Sequence, residues 1–252
     1  MGFKDKVAIV TGAGQGIGLQ ICRQLADAGA NVILNDLDAD LAESAANQVS
    51  AENGICIAVA GDASDMVFIQ HMVDTAVSRF GRLDIIVANA GITLFGDFFA
   101  YTPEAFHRVM QVNLAGTFFL AQAAARQMKQ QQTGGSLLFT SSVTGHQAHK
   151  NLAAYAMSKA ALEMLARNLV IELSAHKINV NTIAPGATLT ERTLEDPSYE
   201  STWSTITPMG RPAGVRDIAN AALFLISEEG RHITGQSLVI DGGWTCISPS
   251  PY

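Results

Sequence analysis

The chain has 252 residues, of which 48% are hydrophobic and 15% charged, and its formal net charge is −7. This length and composition predict one sizeable apolar core and do not require a second domain. A net negative chain without a basic patch argues against a nucleic-acid partner, because nucleic acids are polyanions. No apolar run reaches membrane-spanning length, and the first residues lack the apolar stretch of a signal peptide. We therefore expect no membrane partner and a cytoplasmic location.

Three cysteines, Cys22, Cys56 and Cys246, lie far apart and form no C-x-x-C pattern. An odd number of scattered cysteines is typical of a chain in a reducing compartment.

Short apolar segments alternate with segments of helical periodicity along the chain. Strands are predicted at 7–10, 31–35, 55–60, 84–89, 136–140, 178–184 and 237–241, and helices near 17–29, 38–52, 64–80, 102–131, 152–175 and 215–228. Thr102, Pro103 and Glu104 are typical of a helix start. The alternation predicts one α/β domain over residues 1–252, with a Rossmann-like, doubly wound, parallel seven-stranded sheet and helices on both faces.

Four glycines at alternate positions follow the first strand, in TGAGQGIG at 11–18, and lead into the first helix. Glycines without a Cβ let backbone N–H groups approach a pyrophosphate, and the helix that follows directs its positive end at that anion. The spacing is G-x-x-x-G-x-G, because Ile17 stands where the pattern G-x-G-x-x-G requires glycine. A turn without a ligand is the alternative. The predicted cofactor residues here are Gly12, Gln15, Gly16, Ile17 and Gly18.

Asp36 follows the second strand, where ligands of such a sheet bind. A carboxylate at this place accepts both hydroxyls of an adenosine ribose and repels a 2′-phosphate, which favours NAD over NADP. The NADP alternative wants a basic residue nearby, but position 15 is Gln and position 37 is Leu. Asp36 could instead cap the next helix, for which Asp38 is also available.

The ends of the third and fourth strands supply further candidates. Asp62 and Ala63 could face an adenine, although capping of the next helix by Asp62 or Ser64 explains the sequence equally well. The small residues around the next turn let the backbone pass near a cofactor, as a plain tight turn would also do. The candidates in that turn are Asn89, Ala90 and Gly91.

Asn113 is a polar amide among apolar residues of a long predicted helix. Such an amide must be hydrogen-bonded if it is buried, so it either serves the helix backbone or holds a functional water.

Ser142, Tyr155 and Lys159 have the spacing of acid–base chemistry. Tyr155 and Lys159 lie one helical turn apart on the same face. A tyrosine is a poor base at neutral pH, but an adjacent ammonium favours its phenolate. Because a Tyr-x-x-x-Lys pair also occurs on ordinary helix faces, the upstream serine and the glycine turn carry the interpretation.

Together these residues resemble the short-chain dehydrogenase/reductase family, in its compact single-domain division. The resemblance covers nearly the whole chain through TGAGQGIG (11–18), Asp62, NAG (89–91), Asn113, Ser142, YAMSK (155–159), PGATLT (185–190) and GQSLVIDGG (235–243). The enoyl reductase branch usually has a wider tyrosine–lysine spacing, which this sequence lacks. The sugar-nucleotide epimerase branch usually has a different glycine spacing and a longer substrate domain.

The resemblance implies reversible hydride transfer, on the B face of the nicotinamide, between NAD and a secondary alcohol or ketone. Tyr155 would exchange the substrate proton and Ser142 would donate a hydrogen bond to the substrate oxygen. Lys159 would favour the tyrosine phenolate and hold the nicotinamide ribose. Asn113 would keep a water that links Lys159 to solvent. Strand alternation lets only one of Ser141 and Ser142 face the site, and the spacing favours Ser142.

The segment 186–212 is predicted as an irregular lid, since a long irregular stretch in a compact domain is commonly functional. The resemblance assigns contacts on the nicotinamide side of the cofactor to Pro185, Gly186, Thr188 and Thr190. Substrate contacts are predicted after Gly91, before Tyr155 and in the lid. These candidates are Thr93, Phe95, Thr144, His149, Leu152, Ala187 and Trp203. His146 and His149 lack a third ligand, so no metal site is predicted.

The family commonly forms homotetramers through its last strand and two long helices, which implies a subunit interface along 236–252 and a tail within reach of a neighbouring site. Two other functions compete with an NAD-dependent dehydrogenase. An NADPH-dependent 3-oxoacyl-carrier reductase would have a basic docking patch and lack Asp36. A non-enzymatic nucleotide-binding regulator would have lost one of Ser142, Tyr155 and Lys159.

Overall fold

A computed structural model describes residues 2–52 and 54–248. Its strands are β1 (Val7–Val10), β2 (Asn31–Leu34), β3 (Ile55–Ala58), β4 (Ile85–Ala88), β5 (Gly135–Thr140), β6 (Ile178–Pro185), β7 (Thr188–Leu189), β8 (Ala213–Gly214) and β9 (Ser237–Ile240). Seven of them form a parallel sheet in the order β3-β2-β1-β4-β5-β6-β9, and β7 pairs with β8. The strand order reverses between β1 and β4, which opens a crevice at their carboxyl ends.

The described residues form eight α-helices, most of which pack on the two faces of this sheet. They are α1 (Gly16–Asp27), α2 (Ala39–Ala51), α3 (Met66–Phe80), α4 (Pro103–Met110), α5 (Thr117–Gln131), α6 (Ala153–Leu173), α7 (Tyr199–Ile206) and α8 (Val215–Ile226). The buried residues of α1, α2 and α8 form one apolar cluster, and those of α3, α5 and α6 form the other. Within the described ranges, no helix combines the length and the apolar character that a membrane crossing requires.

The two apolar clusters follow from the two-residue period of the strands. In β1, Val7 and Ile9 pack in the cluster with α3, whereas Ala8 and Val10 pack in the cluster with α1. Successive side chains of a strand point to opposite faces, so a strand that is buried on both faces is apolar throughout. This explains why the strands read as continuous apolar runs.

The predicted doubly wound sheet and its seven strands are confirmed, and the strand ends differ from prediction by at most two residues. The helix predicted at 102–131 is wrong as one element, because a π-helical segment at Gln111–Gly116 separates α4 from α5. The lid prediction was also wrong in part, since 186–212 contains β7 and α7. The end of the predicted tail, 249–252, lies outside the described residues.

Candidate active site

A cavity of about 410 Å³ opens at the carboxyl ends of the sheet strands, between the glycine turn and the lid segment. Most of the candidate site residues predicted from the sequence line this cavity. Those that line it are Gly12, Gln15, Gly16, Ile17, Asp36, Asp62, Ala63, Asn89, Ala90, Gly91, Thr93, Ser142, Tyr155, Lys159, Pro185, Gly186, Thr188 and Thr190.

Glycine is required in the turn after β1 for reasons of conformation and space. Gly12 and Gly16 have φ values of +59° and +62°, in the region that side chains disfavour. A Cβ at Gly18 would lie 2.5 Å from the Gly12 carbonyl oxygen and 2.7 Å from Asn89 Nδ2. The helix therefore packs against the turn at backbone distance, and the glycine turn forms a cradle of backbone N–H groups, the chemistry that binds a pyrophosphate.

The start of α1 differs from the starts of α2, α3 and α4, which are each capped by a side chain. Gln15 at the N-cap position of α1 makes no capping hydrogen bond. The N–H of Gly16 donates instead to the Glu191 carboxylate of the lid segment, at 2.9 Å. The N-terminal end of α1 is thus an anion site, and the chain places one of its own carboxylates there.

Asp36 is a cavity residue and does not cap α2. Its Oδ2 accepts the N–H of Gly14 at 2.9 Å. Asp38 caps α2 by accepting the N–H of Leu41 at 3.0 Å. Because Asp38 performs the capping, the Asp36 carboxylate stays beside the glycine turn, where an adenosine ribose would bind.

The capping alternative for Asp62 and Ser64 was wrong, because Asp65 caps α3 through the N–H of Phe68 at 2.8 Å. Burial by itself would raise the pKa of Asp62. The hydrogen bonds from the backbone and hydroxyl of Ser64, together with the nearby Arg108 guanidinium, outweigh burial and lower that pKa. Arg108 lies 3.7 Å from Asp62 and lines the same end of the cavity.

Asn89 ties the turn after β4 to the turn after β1. Its Nδ2 donates to the carbonyl oxygens of Thr11 and Gly12 at 3.1 and 2.8 Å. The Thr11 hydroxyl accepts the N–H groups of Asn89 and Ala90, both at 3.1 Å. These contacts hold the two turns at a fixed separation.

Lys159 and Tyr155 are on adjacent turns of α6, and the Lys159 Nζ lies 5.5 Å from the centroid of the Tyr155 ring. Lys159 is 3% exposed, and its Nζ donates to the Thr140 carbonyl at 2.7 Å. Burial lowers the pKa of Lys159, while the charge of an ionised Tyr155 acts in the opposite direction. A cation fixed in this way stabilises negative charge on the tyrosine oxygen.

The two serines after β5 have different surroundings. The Ser141 hydroxyl lies 3.0 Å from the Lys159 carbonyl oxygen and 2.8 Å from Glu163 Oε1. The Ser142 hydroxyl accepts the N–H of Thr144 at 3.2 Å, and an accepted bond leaves its own hydrogen available to a substrate oxygen. These contacts favour Ser142 as the substrate-facing serine.

Asn113 is fully buried in the π-helical segment. Its Oδ1 accepts the Ile92 N–H at 2.8 Å, and its Nδ2 donates to the Ile92 carbonyl and the Ser158 hydroxyl at 3.0 and 3.1 Å. A Cβ at Gly91 would lie 3.2 Å from Lys159 Nζ and 3.4 Å from Asn113 Oδ1. The amide side chain therefore joins the turn after β4 to α6 beside Lys159, and does not serve its own helix backbone.

Of the seven predicted substrate residues, only Thr93 lines the cavity. The remaining six are Phe95, Thr144, His149, Leu152, Ala187 and Trp203, and their substrate contacts stay a prediction. Trp203 packs on Tyr199 and Trp244 with ring centroids 6.0 and 5.5 Å apart, and His149 lies 5.9 Å from Trp244. Tyr199 lines the cavity, so this aromatic cluster adjoins it.

Sequence reasoning missed Arg108, Arg192, Thr193 and Tyr199, which also line the cavity. Arg108 belongs to no motif and is brought there by α4. The other three lie in the lid segment, where the Thr193 hydroxyl donates to the Thr188 carbonyl of β7 and the Tyr199 hydroxyl accepts the N–H of Thr188. An aromatic residue in a predicted lid was the one available signal, and it pointed to Trp203 instead of Tyr199.

Comparisons with known proteins agree with this geometry. The sequence profile of the family described as Enoyl-(Acyl carrier protein) reductase matches residues 12–245. The L-rhamnose 1-dehydrogenase (NAD(P)(+)) of Azotobacter vinelandii is 36% identical over 246 residues, which cover 95% of this chain and 96% of that protein.

Two solved structures superimpose over almost the whole chain. A 7α-hydroxysteroid dehydrogenase complexed with NADH and 7-oxo glycochenodeoxycholic acid is 36% identical, with a TM-score of 0.91 and coverage of 96% of this chain and 95% of that chain. The 3-ketoacyl-(acyl-carrier-protein) reductase of Brucella melitensis complexed with NADH is 32% identical, with a TM-score of 0.90 and coverage of 96% and 99%.

The chain belongs to the short-chain dehydrogenase/reductase family. It is an NAD(P)-dependent oxidoreductase of alcohols and ketones.

Proposed function

We propose that this protein oxidises a secondary alcohol, or reduces the matching ketone, with NAD(H) as its cofactor and with residues 1–252 acting as one cofactor-binding and catalytic domain. The observation that carries the proposal is the Lys159 ammonium 5.5 Å from the Tyr155 ring, in a cavity whose far end holds the Asp36 carboxylate. One end can exchange a proton with a substrate, and the other can bind the adenosine of a dinucleotide.

The glycine cradle and Asp36 support a dinucleotide as the ligand. Gly12, Gly16 and Gly18 would hold the pyrophosphate, and Asp36 would accept the ribose hydroxyls. A 2′-phosphate would meet the Asp36 carboxylate, so NAD is favoured over NADP. The further predicted contacts of this cofactor are Gln15, Ile17, Asp62, Ala63, Asn89, Ala90, Gly91, Pro185, Gly186, Thr188 and Thr190.

When bound, the nicotinamide supplies the acceptor of hydride in oxidation and its donor in reduction. Tyr155 as phenolate takes the proton of the alcohol, and in reduction it returns a proton to the ketone oxygen. The Ser142 hydroxyl donates to that same oxygen and stabilises the charge that develops on it. The Lys159 ammonium stabilises the negative charge of this phenolate.

Asn113 is proposed to support Lys159 through a bound water. Its side chain is committed to Ile92 and Ser158, so a water held by Asn113 would bind its backbone carbonyl, which already accepts the Thr117 hydroxyl at 3.0 Å. In this proposal the water passes protons between solvent and Lys159.

The similar proteins indicate a class of substrate for this chain. They act on a sugar, a steroid and an acyl group, and each of these carries a secondary hydroxyl or the matching ketone. We propose a polyol, sugar or hydroxyacyl-like substrate. The contacts proposed for it are Thr93, Phe95, Thr144, His149, Leu152, Ala187 and Trp203.

The likeness to a 3-ketoacyl reductase suggests one alternative function, that of an NADPH-dependent 3-oxoacyl-carrier reductase. Asp36 beside Gly14 argues against the phosphorylated cofactor, and the net charge of −7 argues against docking of an acidic carrier. The intact set of Ser142, Tyr155 and Lys159 argues against a non-enzymatic regulator.

We also propose a homotetramer in the cytoplasm. Exposed apolar side chains on α5 and α6 support an interface, with Phe119 at 39%, Met164 at 54% and Ile171 at 86% exposure. The free thiols of Cys22, Cys56 and Cys246 fit a reducing compartment. Light scattering tests the assembly, and a monomer would contradict it.

An absorbance screen tests the reaction. NAD is offered with a panel of sugars, polyols, hydroxyacyl esters and hydroxysteroids, and NADH with the matching ketones, while the reduced-nicotinamide band is followed. Turnover with at least one pair, and faster turnover with NAD(H) than with NADP(H), is the expected result. Cofactor binding without turnover of any pair would favour the regulator instead.

A further inference from the structure

Glu163 is a buried carboxylate on the catalytic helix that the proton chemistry above does not use. It lies one turn after Lys159 in α6, and its side chain is 8% exposed. A carboxylate with so little water around it must be held by donors, because an unpaired buried charge is strongly unfavourable. Its donors come from the segment that carries Ser142.

One carboxylate oxygen of Glu163 lies within hydrogen-bonding distance of two side chains of that segment. Glu163 Oε1 lies 2.8 Å from His146 Nε2 and 2.8 Å from the Ser141 hydroxyl. His146 Nε2 is also 3.3 Å from the hydroxyl of Ser237 in β9. Within the described residues, no group of three or more metal-binding side chains includes this pair. The partner of His146 is therefore the Glu163 carboxylate.

Between Ser142 and His146 the chain forms a single turn of 3₁₀-helix, Val143–Gly145. Ser142 caps the start of this turn. The N–H of His146 donates to the Val143 carbonyl at 3.0 Å. A Cβ at Gly145 would lie 3.1 Å from Glu163 Oε1 and 3.2 Å from the Ala160 nitrogen, so the turn touches α6 directly. Ser142 stands at one end of this turn, and the His146–Glu163 contact fixes the other end.

We propose that His146 and Glu163 are positioning residues, which hold the Ser142 hydroxyl at a fixed distance from Tyr155 and Lys159. The proposal rests on the proposed dehydrogenase function. Neither residue reaches the reacting atoms. Without the His146–Glu163 contact the turn keeps its cap and the Ser141 contact with the Lys159 carbonyl, but its far end is no longer held on α6 by a hydrogen bond. A displacement of about 1 Å at a reacting group can reduce a rate by about 100-fold.

Four variants test the proposal. His146→Ala and Glu163→Ala break the contact, Glu163→Gln keeps an oxygen acceptor at the same place, and His71→Ala on the exposed face of α3 is the matched histidine control. The side chain of His146 is 30% exposed, against 8% for Glu163, so its variant is expected to fold even if Glu163→Ala does not. We expect kcat to fall roughly 10- to 100-fold in both alanine variants, with the dissociation constant of NADH within about twofold of wild type. Glu163→Gln is expected to recover most of the loss.

The pair of variants should also be non-additive, so that His146→Ala with Glu163→Ala loses no more than the worse single change. Hydrogen exchange measured by mass spectrometry gives a readout that needs no substrate. Amides 143–147 should exchange faster in His146→Ala and not in Glu163→Gln or His71→Ala.

An unchanged exchange rate in His146→Ala, or an unchanged kcat when the exchange rate rises, would overturn the positioning role alone. If wild-type protein turns over none of the panel, the proposed function fails and the positioning role is overturned with it. The two failures are thereby distinguished.

Discussion

The Glu191 carboxylate accepts the N–H of Gly16 at 2.9 Å, between residues that are 175 positions apart in the chain. The contact places a side-chain anion at the uncapped start of α1, in the cradle proposed for the pyrophosphate. Glu191 and the cofactor therefore compete for one N–H group. Thr190 accompanies Glu191, since its Cγ2 would lie 3.3 Å from a Cβ at Gly16.

We expect Glu191→Gln to bind NADH more tightly, because it removes a competing negative charge from the end of the helix. A charge at this position contributes about 0.3–1 kcal/mol, which corresponds to a dissociation constant roughly two- to fivefold lower. Fluorescence titration with NADH measures it. Glu195→Gln, an exposed change in the same segment, is the control. Weaker binding by Glu191→Gln would show that Glu191 assists the cofactor.

Tyr155→Phe removes the proposed proton carrier and keeps the ring beside Lys159. We expect kcat to fall by about 10²- to 10⁴-fold, the range of general acid–base catalysis, with NADH binding nearly unchanged. Steady-state rates and an NADH titration on the same preparation separate the two effects. A variant that retains substantial turnover contradicts the mechanism.

Asp36→Ser should relax the choice of cofactor. Hydrogen bonds to a charged group are worth about 1.5–3 kcal/mol, so the loss of the carboxylate predicts a kcat/KM for NAD that falls roughly 10- to 100-fold, and a much smaller fall with NADP. Asp38→Ser keeps a helix cap and serves as the control. Equal losses with the two cofactors would mean that Asp36 does not contact the ribose.

Gly18→Ala tests the close packing of α1 on the turn after β1. The new Cβ would meet the Gly12 oxygen at 2.5 Å and Asn89 Nδ2 at 2.7 Å, so either the turn or the helix must shift. We expect a loss of about 1–3 kcal/mol in the free energy of unfolding, measured with urea. Gly2→Ala is the control, since no atom lies within 4 Å of its Cβ position. A stability equal to wild type would contradict the cradle geometry.

Asp241, in the segment after β9, is expected to stabilise the folded protein at neutral pH but not at acid pH. Burial alone would raise the pKa of Asp241, but the N–H groups of Gly243 and Thr245 and the Thr245 hydroxyl lower it. The unfolded chain then binds this proton more readily than the folded protein. The contribution is complete above the unfolded value of about 3.9 and is lost as the pH falls through the lower folded value.

We therefore expect Asp241→Asn to be less stable than wild type at neutral pH and to approach it as the pH falls below about 4. Urea unfolding at several pH values measures the difference, with Asp27→Asn at an exposed position as the control. A stability gap that stays constant down to acid pH would rule out the assignment to Asp241.

Local patterns predicted the sheet and the centre of the site, because the decisive residues lie close together in sequence. The glycine turn and the pair of Tyr155 and Lys159 are each complete within eight positions. Contacts between distant segments left no such pattern. Glu191 meets Gly16, and His146 meets Glu163, only because the fold brings those segments together.

Two local features also escaped prediction. The backbone stays helical on both sides of the π-helical segment around Asn113, so no turn residue marks it and 102–131 reads as one helix. Helix α7 has 8 residues, too few to establish a helical period within a segment that otherwise reads as irregular.

The pairing of β1 with β4 has a consequence for how the protein folds. Ala8 lies beside Ile85, and the chain between them contains β2, β3 and three helices. Such non-local pairing slows folding. A fragment that ends before β4 has no crevice at all, so a nascent chain acquires its ligand site only after much of the sheet has been synthesised.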